Sequence, residues 1–233
     1  MGVAFIAGAY KERPIAKSFS EATWEEIIYA CKKNLVPENW NIGDQNTMLI
    51  NGNTYIIDII GKNHDEYADR NGVAPLTFQM HDCYETTYRM RGSNTNNGGW
   101  DSSSMYSSYL PEILALMPVE VQAGIKEVRK ITSAGNTLTN LEASSNKLFL
   151  LSEIEVLGKI TNSISGEGTQ YAYYAYGGDT RKNNSGSYGA WWLRSPVGKY
   201  SSDFCLVVNN ADKGVPGYTS ASEYRGVSFA FCF

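Results

Sequence analysis

The chain has 233 residues, 42% of them hydrophobic and 19% charged, with a formal net charge of −4. Such a composition can bury a core and does not describe a disordered chain. Its basic residues are scattered, which argues against a dedicated nucleic-acid binder.

Residues 1–19 read as an N-terminal arm, because Pro14 and a lack of periodicity speak against a helix there. The arm is the element through which the chain would oligomerise. Its opening, MGVAFIAGAYKERP, has no charge before a short apolar stretch and makes a poor signal peptide. Ile6 stands where a myristoylation motif needs a hydroxyl. No apolar run approaches the roughly 18 residues of a membrane span, so no membrane insertion is expected.

Thr23-Trp24-Glu25-Glu26 forms a capping box, and Trp24, Ile27, Ile28, Cys31 and Leu35 follow at helical spacing. The pattern predicts a helix that ends at Pro37. Thr47–Ile50 and Thr54–Ile60 are strand-like around Asn51-Gly52-Asn53, a tight hairpin signal. Residues 61–74 read as a polar loop, Leu76–Met80 as a strand and 91–99 as a turn-rich loop. Helices are expected over Ser103–Leu110, Glu112–Leu116 and Val119–Val128, with Pro111 and Pro118 where they restart. Ile131–Ser145 reads as loop, and Leu148–Leu151 and Ile154–Leu157 as strands.

From about residue 161 Gly, Ser, Asn and Tyr dominate, interrupted by apolar runs at Trp191–Leu193, Phe204–Val208 and Val227–Phe233. These predict three strands carrying long loops, the last pairing with one of the other two. The layout is α+β, with residues 20–233 forming one domain. In Trp191-Trp192-Leu193-Arg194-Ser195-Pro196, one tryptophan is expected buried and Arg194 turned inward.

The four cysteines, Cys31, Cys83, Cys205 and Cys232, contain no CxxC pair, and the apolar runs around Cys205 and Cys232 favour buried thiols. His64-Asp65 and His81-Asp82-Cys83 read as hydrogen-bonding groups ahead of metal or catalytic ones. Asp65, Glu66 and Asp69 do not match a calcium-loop spacing. No nucleophile elbow, P-loop or dinucleotide loop is present, so neither a cofactor nor catalysis is expected.

Several segments carry a resemblance. They include Trp40–Asp44, Ile59–Asp65, Gly98-Gly99-Trp100, Lys147–Glu153, Glu167–Tyr171, WWLRSP at 191–196 and the closing Gly226–Cys232. Over roughly 24–233 the chain resembles an uncharacterised domain family of phages, prophages and gut bacteria whose usual ending is GVRPAF. Here Ser228 and Phe229 replace the Arg and Pro of that ending. The family's end is similar to C-type-lectin-like domains, including the branch related to formylglycine-generating enzymes. The resemblance therefore implies that fold, with flanking helices and long C-terminal loops. Some such domains are variable proteins of diversity-generating retroelements, in which mutagenised Asn codons yield Tyr, Ser, Gly, Asp, Ala, Val or Thr. Residues 186–226 are rich in these, although Lys199, Lys213 and Glu223 do not fit that origin.

Composition points the same way. Tyrosine offers large contact area with few rotors, and Ser, Gly and Asn adapt around it. The expected ligand face comprises Tyr188, Lys199, Tyr200, Ser202, Asp203 and Asn209. It continues through Asn210, Asp212, Tyr218, Thr219, Ser220, Ser222 and Tyr224. The expected function is a non-catalytic module that binds a host-surface protein or glycan, from a virion surface or a bacterial cell. The alternatives are a structural decoration or surface protein, and an oxidase of the formylglycine-generating type working through Cys205 and Cys232.

Overall fold

The capping box at Thr23 closes as the sequence predicts. The Glu26 amide donates to Thr23 Oγ1 at 3.3 Å and the Thr23 amide donates to the Glu26 carboxylate at 2.9 Å. Helix α1 spans Trp24–Lys33 and stops at Asn34, whose left-handed conformation (φ 55°) turns its amide back onto Ala30 and Cys31. The helix therefore ends before Pro37, and Leu35 lies exposed beyond it. The computed structural model describes residues 18–210 and 212–233, so most of the expected arm lies outside the described residues. Its last residue does not belong to an arm, because Phe19 is buried against Trp24, Trp40 and Phe78.

Strands β1 (Gln45–Ile50) and β2 (Asn53–Lys62) form the expected hairpin. Asn51 and Gly52 both take positive φ, which suits a two-residue turn between right-twisted strands. Strand β2 runs past Ile60, with a register shift between Ile59 and Gly61. A Cβ at Gly61 would lie 3.0 Å from the buried Tyr171 ring, so a larger residue there would have to displace that ring by a few tenths of an ångström. Strand β3 covers Leu76–Met80. A π-turn at Met105–Tyr109 leads into α2 (Leu110–Ala115), and α3 (Val119–Gly124) stops short of Val128.

Two segments differ from the sequence reading. Of residues 131–145, read as loop, only 134–140 are loop, and 131–133 and 141–145 are strand. The strand residues contribute to a hairpin of β4 (Val128–Ser133) and β5 (Leu141–Asn146). The inward positions of β4 include Lys130 and Thr132, so no apolar alternation betrays the strand. After β6 (Leu148–Phe149), residues 154–157 belong to a helix, α4 (Glu153–Leu157). A second capping box, Ser152 with Glu155, starts it, and Gly158 in the left-handed region ends it.

The remaining elements are α5 (Ala172–Ala175), the small hairpin β7 (Lys182–Asn184) and β8 (Ser187–Gly189), then β9 (Trp191–Pro196), β10 (Asp203–Asn209), β11 (Gly214–Ser220) and β12 (Ala230–Cys232). The fold is mixed α and β, with few helices and mainly antiparallel sheets. One sheet has the order β1-β2-β3-β12-β6 and another β11-β10-β9. The last strand thus pairs with β3 and β6, and not with β9 or β10 as the sequence reading expected. Its approach does touch β9, through a parallel bridge between Trp191 and Gly226. Beyond that bridge, the aromatic cluster of Phe78, Phe231 and Phe233 draws the chain across to β3. Phe229 and Phe231 are fully buried, and a continuous hydrophobic core runs between the sheets. Among the described residues, no helix is long and apolar enough to cross a membrane.

Candidate ligand-binding face

Strand β10 carries the expected face, but at both of its ends. At one end Asp203 pairs with Ser220, Phe204 with Thr219 and Cys205 with Tyr218. Lys199, Tyr200 and Ser202 precede this end, and Ser222 and Tyr224 follow β11. The Tyr200 and Tyr218 rings lie 5.4 Å apart. Ser220 Oγ is 2.9 Å from Ser222 Oγ and also bonds the Asn94 side chain. At the other end are Asn209, Asn210, Asp212 and, on the β7–β8 hairpin, Tyr188. Asn209 Nδ2 donates to the Gly189 carbonyl at 3.0 Å, which ties that hairpin to β10. A seven-residue strand separates its ends by about 20 Å. The candidate residues therefore make two patches. None of them is buried, and Tyr188, Tyr200, Tyr218 and Tyr224 are 46–55% exposed.

The patch near Asp203 rests on a residue that the sequence reading passed over. Asn96 is fully buried in the 91–99 loop. Its Nδ2 donates to the carbonyls of Tyr200 at 2.7 Å and Asp203 at 2.8 Å, and its own amide donates to the Ser201 carbonyl at 2.7 Å. Its Oδ1 accepts from the Asn136 amide at 2.7 Å, so one side chain pins the 197–203 loop to the tip of the β4–β5 hairpin. The turn-rich composition around it gave no means of singling it out.

Beneath the sheet lies a buried ionic network. Arg194 points inward, as WWLRSP suggested, and both Glu155 oxygens accept from its guanidinium at 2.5 and 2.9 Å. It also donates to Thr132 Oγ1 and to the carbonyls of Leu150, Ile131 and Glu167. Lys130 Nζ donates to Asp65 at 2.5 Å, Glu155 at 3.0 Å and the Tyr171 hydroxyl at 2.8 Å. Every proton on these two cations is thus used internally, which marks a structural clamp with no donor left for a ligand. Burial alone would raise the Glu155 carboxyl, but Arg194 and Lys130 overcome it and hold the group at about 2. Glu167 has no direct cationic partner. Its Oε1 accepts from the Ser133 amide at 2.8 Å, Oε2 is unpartnered, and burial pushes its carboxyl up to about 7.

These two carboxyls act on stability in opposite directions. Glu155 stabilises the fold above its ordinary value of 4.5, and that contribution is lost as pH falls toward 2. Glu167 ionises in the unfolded chain near 4.5 but in the folded one near 7, so stability falls as pH rises between those values. The size is roughly 3 kcal/mol. Glu167→Gln keeps the acceptor for Ser133. Chemical denaturation at pH 5 and pH 8 should show a stability loss in the wild type that the variant lacks. An unchanged pH slope in the variant would contradict this assignment.

The histidine and acidic clusters serve hydrogen bonding. His81 Nδ1 lies 2.8 Å from the buried Asp58 carboxylate, which raises the imidazole pKa, and His64 stacks on Tyr171 at 4.0 Å. Asp65, Glu66 and Asp69 do not converge. Asp65 sits in the network, Glu66 faces Arg129 at 3.9 Å, and Asp69 accepts from the Asn71 amide. All four cysteines are buried and free. Burial pushes the Cys31 and Cys83 thiols up to about 12 and raises those of Cys205 and Cys232 as well.

Residues 51–233 match the family described as a domain of unknown function, DUF6273, and the chain belongs to that family. No curated protein and no solved structure matches it.

Proposed function

We propose that the chain is a non-catalytic ligand-binding module of C-type-lectin-like type, which presents the loops of residues 186–226 on a sealed core. The observation that carries this reading is the exposure of Tyr188 on β8, Tyr218 on β11 and Tyr200 and Tyr224 in the loops after β9 and β11, around a buried β9 and a largely buried β10. A half-exposed tyrosine displays contact area at little entropic cost, and loops on a rigid sheet can change without disturbing what lies beneath. In this reading the segment is the variable region of a retroelement-diversified protein of a phage, prophage or bacterial surface. Its partner is a host-surface protein or glycan. The buried, high-pKa thiols of Cys205 and Cys232 favour binding over a thiol-dependent oxidase.

The test separates contact from packing. Tyr200→Ala and Tyr224→Ala should each leave thermal stability within about 0.5 kcal/mol of wild type. Each should weaken adhesion of the labelled protein to its host cells by about 1–3 kcal/mol. Large stability losses in both variants would make these rings part of the core and remove the proposed face. The retroelement reading has its own test at the level of DNA. It expects a near-copy of the coding sequence for 186–226 beside a reverse-transcriptase gene, and a locus without one would refute it.

A further inference from the structure

We infer that the Tyr200–Tyr224 end of the face takes an acidic glycan, with Arg89 and Arg91 meeting its carboxylates. This rests on the binding-module reading above. Residues 88–91 run antiparallel beside 221–225. The Tyr88 amide donates to the Arg225 carbonyl at 3.1 Å, the Arg225 amide to Tyr88 at 3.0 Å, and the Arg91 amide to Ala221 at 2.9 Å. Met90 is fully buried, while Arg89 and Arg91 on either side of it are half-buried and reach the surface in part. The Arg89 guanidinium lies 5.8 Å from the centroid of the Tyr224 ring, and Arg91 donates to the Ser102 carbonyl.

The charge state of these arginines is the informative feature. Arg225 reaches Glu223 at 3.4 Å and Arg181 reaches Asp179 at 2.8 Å. Among the described residues neither Arg89 nor Arg91 has a carboxylate partner; the Nε of each is buried without an acceptor, Tyr109 hydrogen-bonds the Arg89 side chain, and what remains for a ligand is the outer part of each guanidinium. Two guanidiniums without a carboxylate partner, two residues apart in the chain and both next to this patch, offer an external anion a place to bind. The neighbouring surface selects a sugar over a protein. Its large exposed apolar groups are Tyr200, Tyr218 and Tyr224, and the exposed aliphatic Val208 lies toward the far end of β10. Asn94, Ser220 and Ser222 surround the rings with hydroxyl and amide groups. Aromatic planes, hydroxyl partners and cations fit the C–H faces, hydroxyls and carboxylates of an acidic saccharide. A protein partner would draw more on a desolvated apolar centre.

Titration calorimetry against a panel of uronate- and sialate-bearing oligosaccharides tests this. Controls are neutral oligosaccharides of the same length and an oligoglutamate peptide. The expected result is an acidic oligosaccharide bound at least about tenfold more tightly than its neutral counterpart, with affinity falling as salt rises. The double variant Arg89→Gln/Arg91→Gln should lose about tenfold for the acidic sugar and nothing for the neutral one. Arg89→Lys/Arg91→Lys should retain most of the salt-dependent part, which guards against a folding defect. Equal binding of acidic and neutral sugars would overturn the inference, as would tighter binding of oligoglutamate or indifference to Arg→Gln. If no sugar binds while tyrosine-dependent adhesion to cells persists, the acidic-glycan inference fails and the binding-module reading stands.

Discussion

Arg194→Met should destabilise the protein by about 3–5 kcal/mol, the largest loss expected for any single change in the second half of the chain. The guanidinium is fully buried and links β9 to α4, to the β4–β5 hairpin and to the 161–168 loop. Methionine fills much of the same volume, so the cost is electrostatic more than steric. Glu155 would keep Lys130 and the Ser152 amide but lose the cation that takes both of its oxygens. The carbonyls of Leu150 and Glu167 would each lose a donor, and Glu155 would titrate at higher pH. Urea denaturation at pH 7 measures the loss directly. Adding Glu155→Gln should return part of it, because in the variant Lys130 alone would face both the Asp65 and Glu155 carboxylates and the second substitution removes one of those buried charges. A loss under about 1 kcal/mol would mean that the network does not clamp these elements.

Asn96→Ala should cost about 1–3 kcal/mol, since it removes the side-chain partner of the part-buried Tyr200 carbonyl and Asn136 amide and leaves the Asp203 carbonyl with the Val197 amide alone. Its effect reaches function by a different route from that of Arg194. The 197–203 loop would lose its side-chain anchors, and Tyr200 would no longer be held beside Tyr218. Amide hydrogen exchange should rise in 197–203 and at Asn136, ahead of the β9–β10 ladder. Protection unchanged in that loop would show that Asn96 does not position it.

Local signals carried much of the architecture. Helix α1, the β1–β2 hairpin and strand β3 follow from a capping box, an Asn-Gly turn and apolar spacing, each readable within a few residues. WWLRSP correctly suggested an inward arginine. Its partner could not be read, because Glu155 lies 39 residues earlier and only the fold brings them together. The β4–β5 hairpin was hidden for a related reason, since Lys130 and Thr132 are buried polar residues and erase the alternation that marks a strand. At α4 the Ser152–Glu155 signature was present, but five residues are too few for helical periodicity to show. Strand β11 contains Gly214, Pro216 and Gly217, which read as turn. As an edge strand it tolerates them. The exposure of the four tyrosines was legible from composition, whereas their division between the two ends of β10 was set by register alone.

The most direct test of the central claim is saturable binding of the labelled protein to intact bacterial cells, measured for wild type and for Tyr200→Ala/Tyr218→Ala/Tyr224→Ala at matched folded fractions. The account predicts saturable binding to at least one host strain for the wild type, its loss in the triple variant, and nearly superimposable thermal melts. Binding that survives all three substitutions, or a wild type that saturates on no strain, would contradict it.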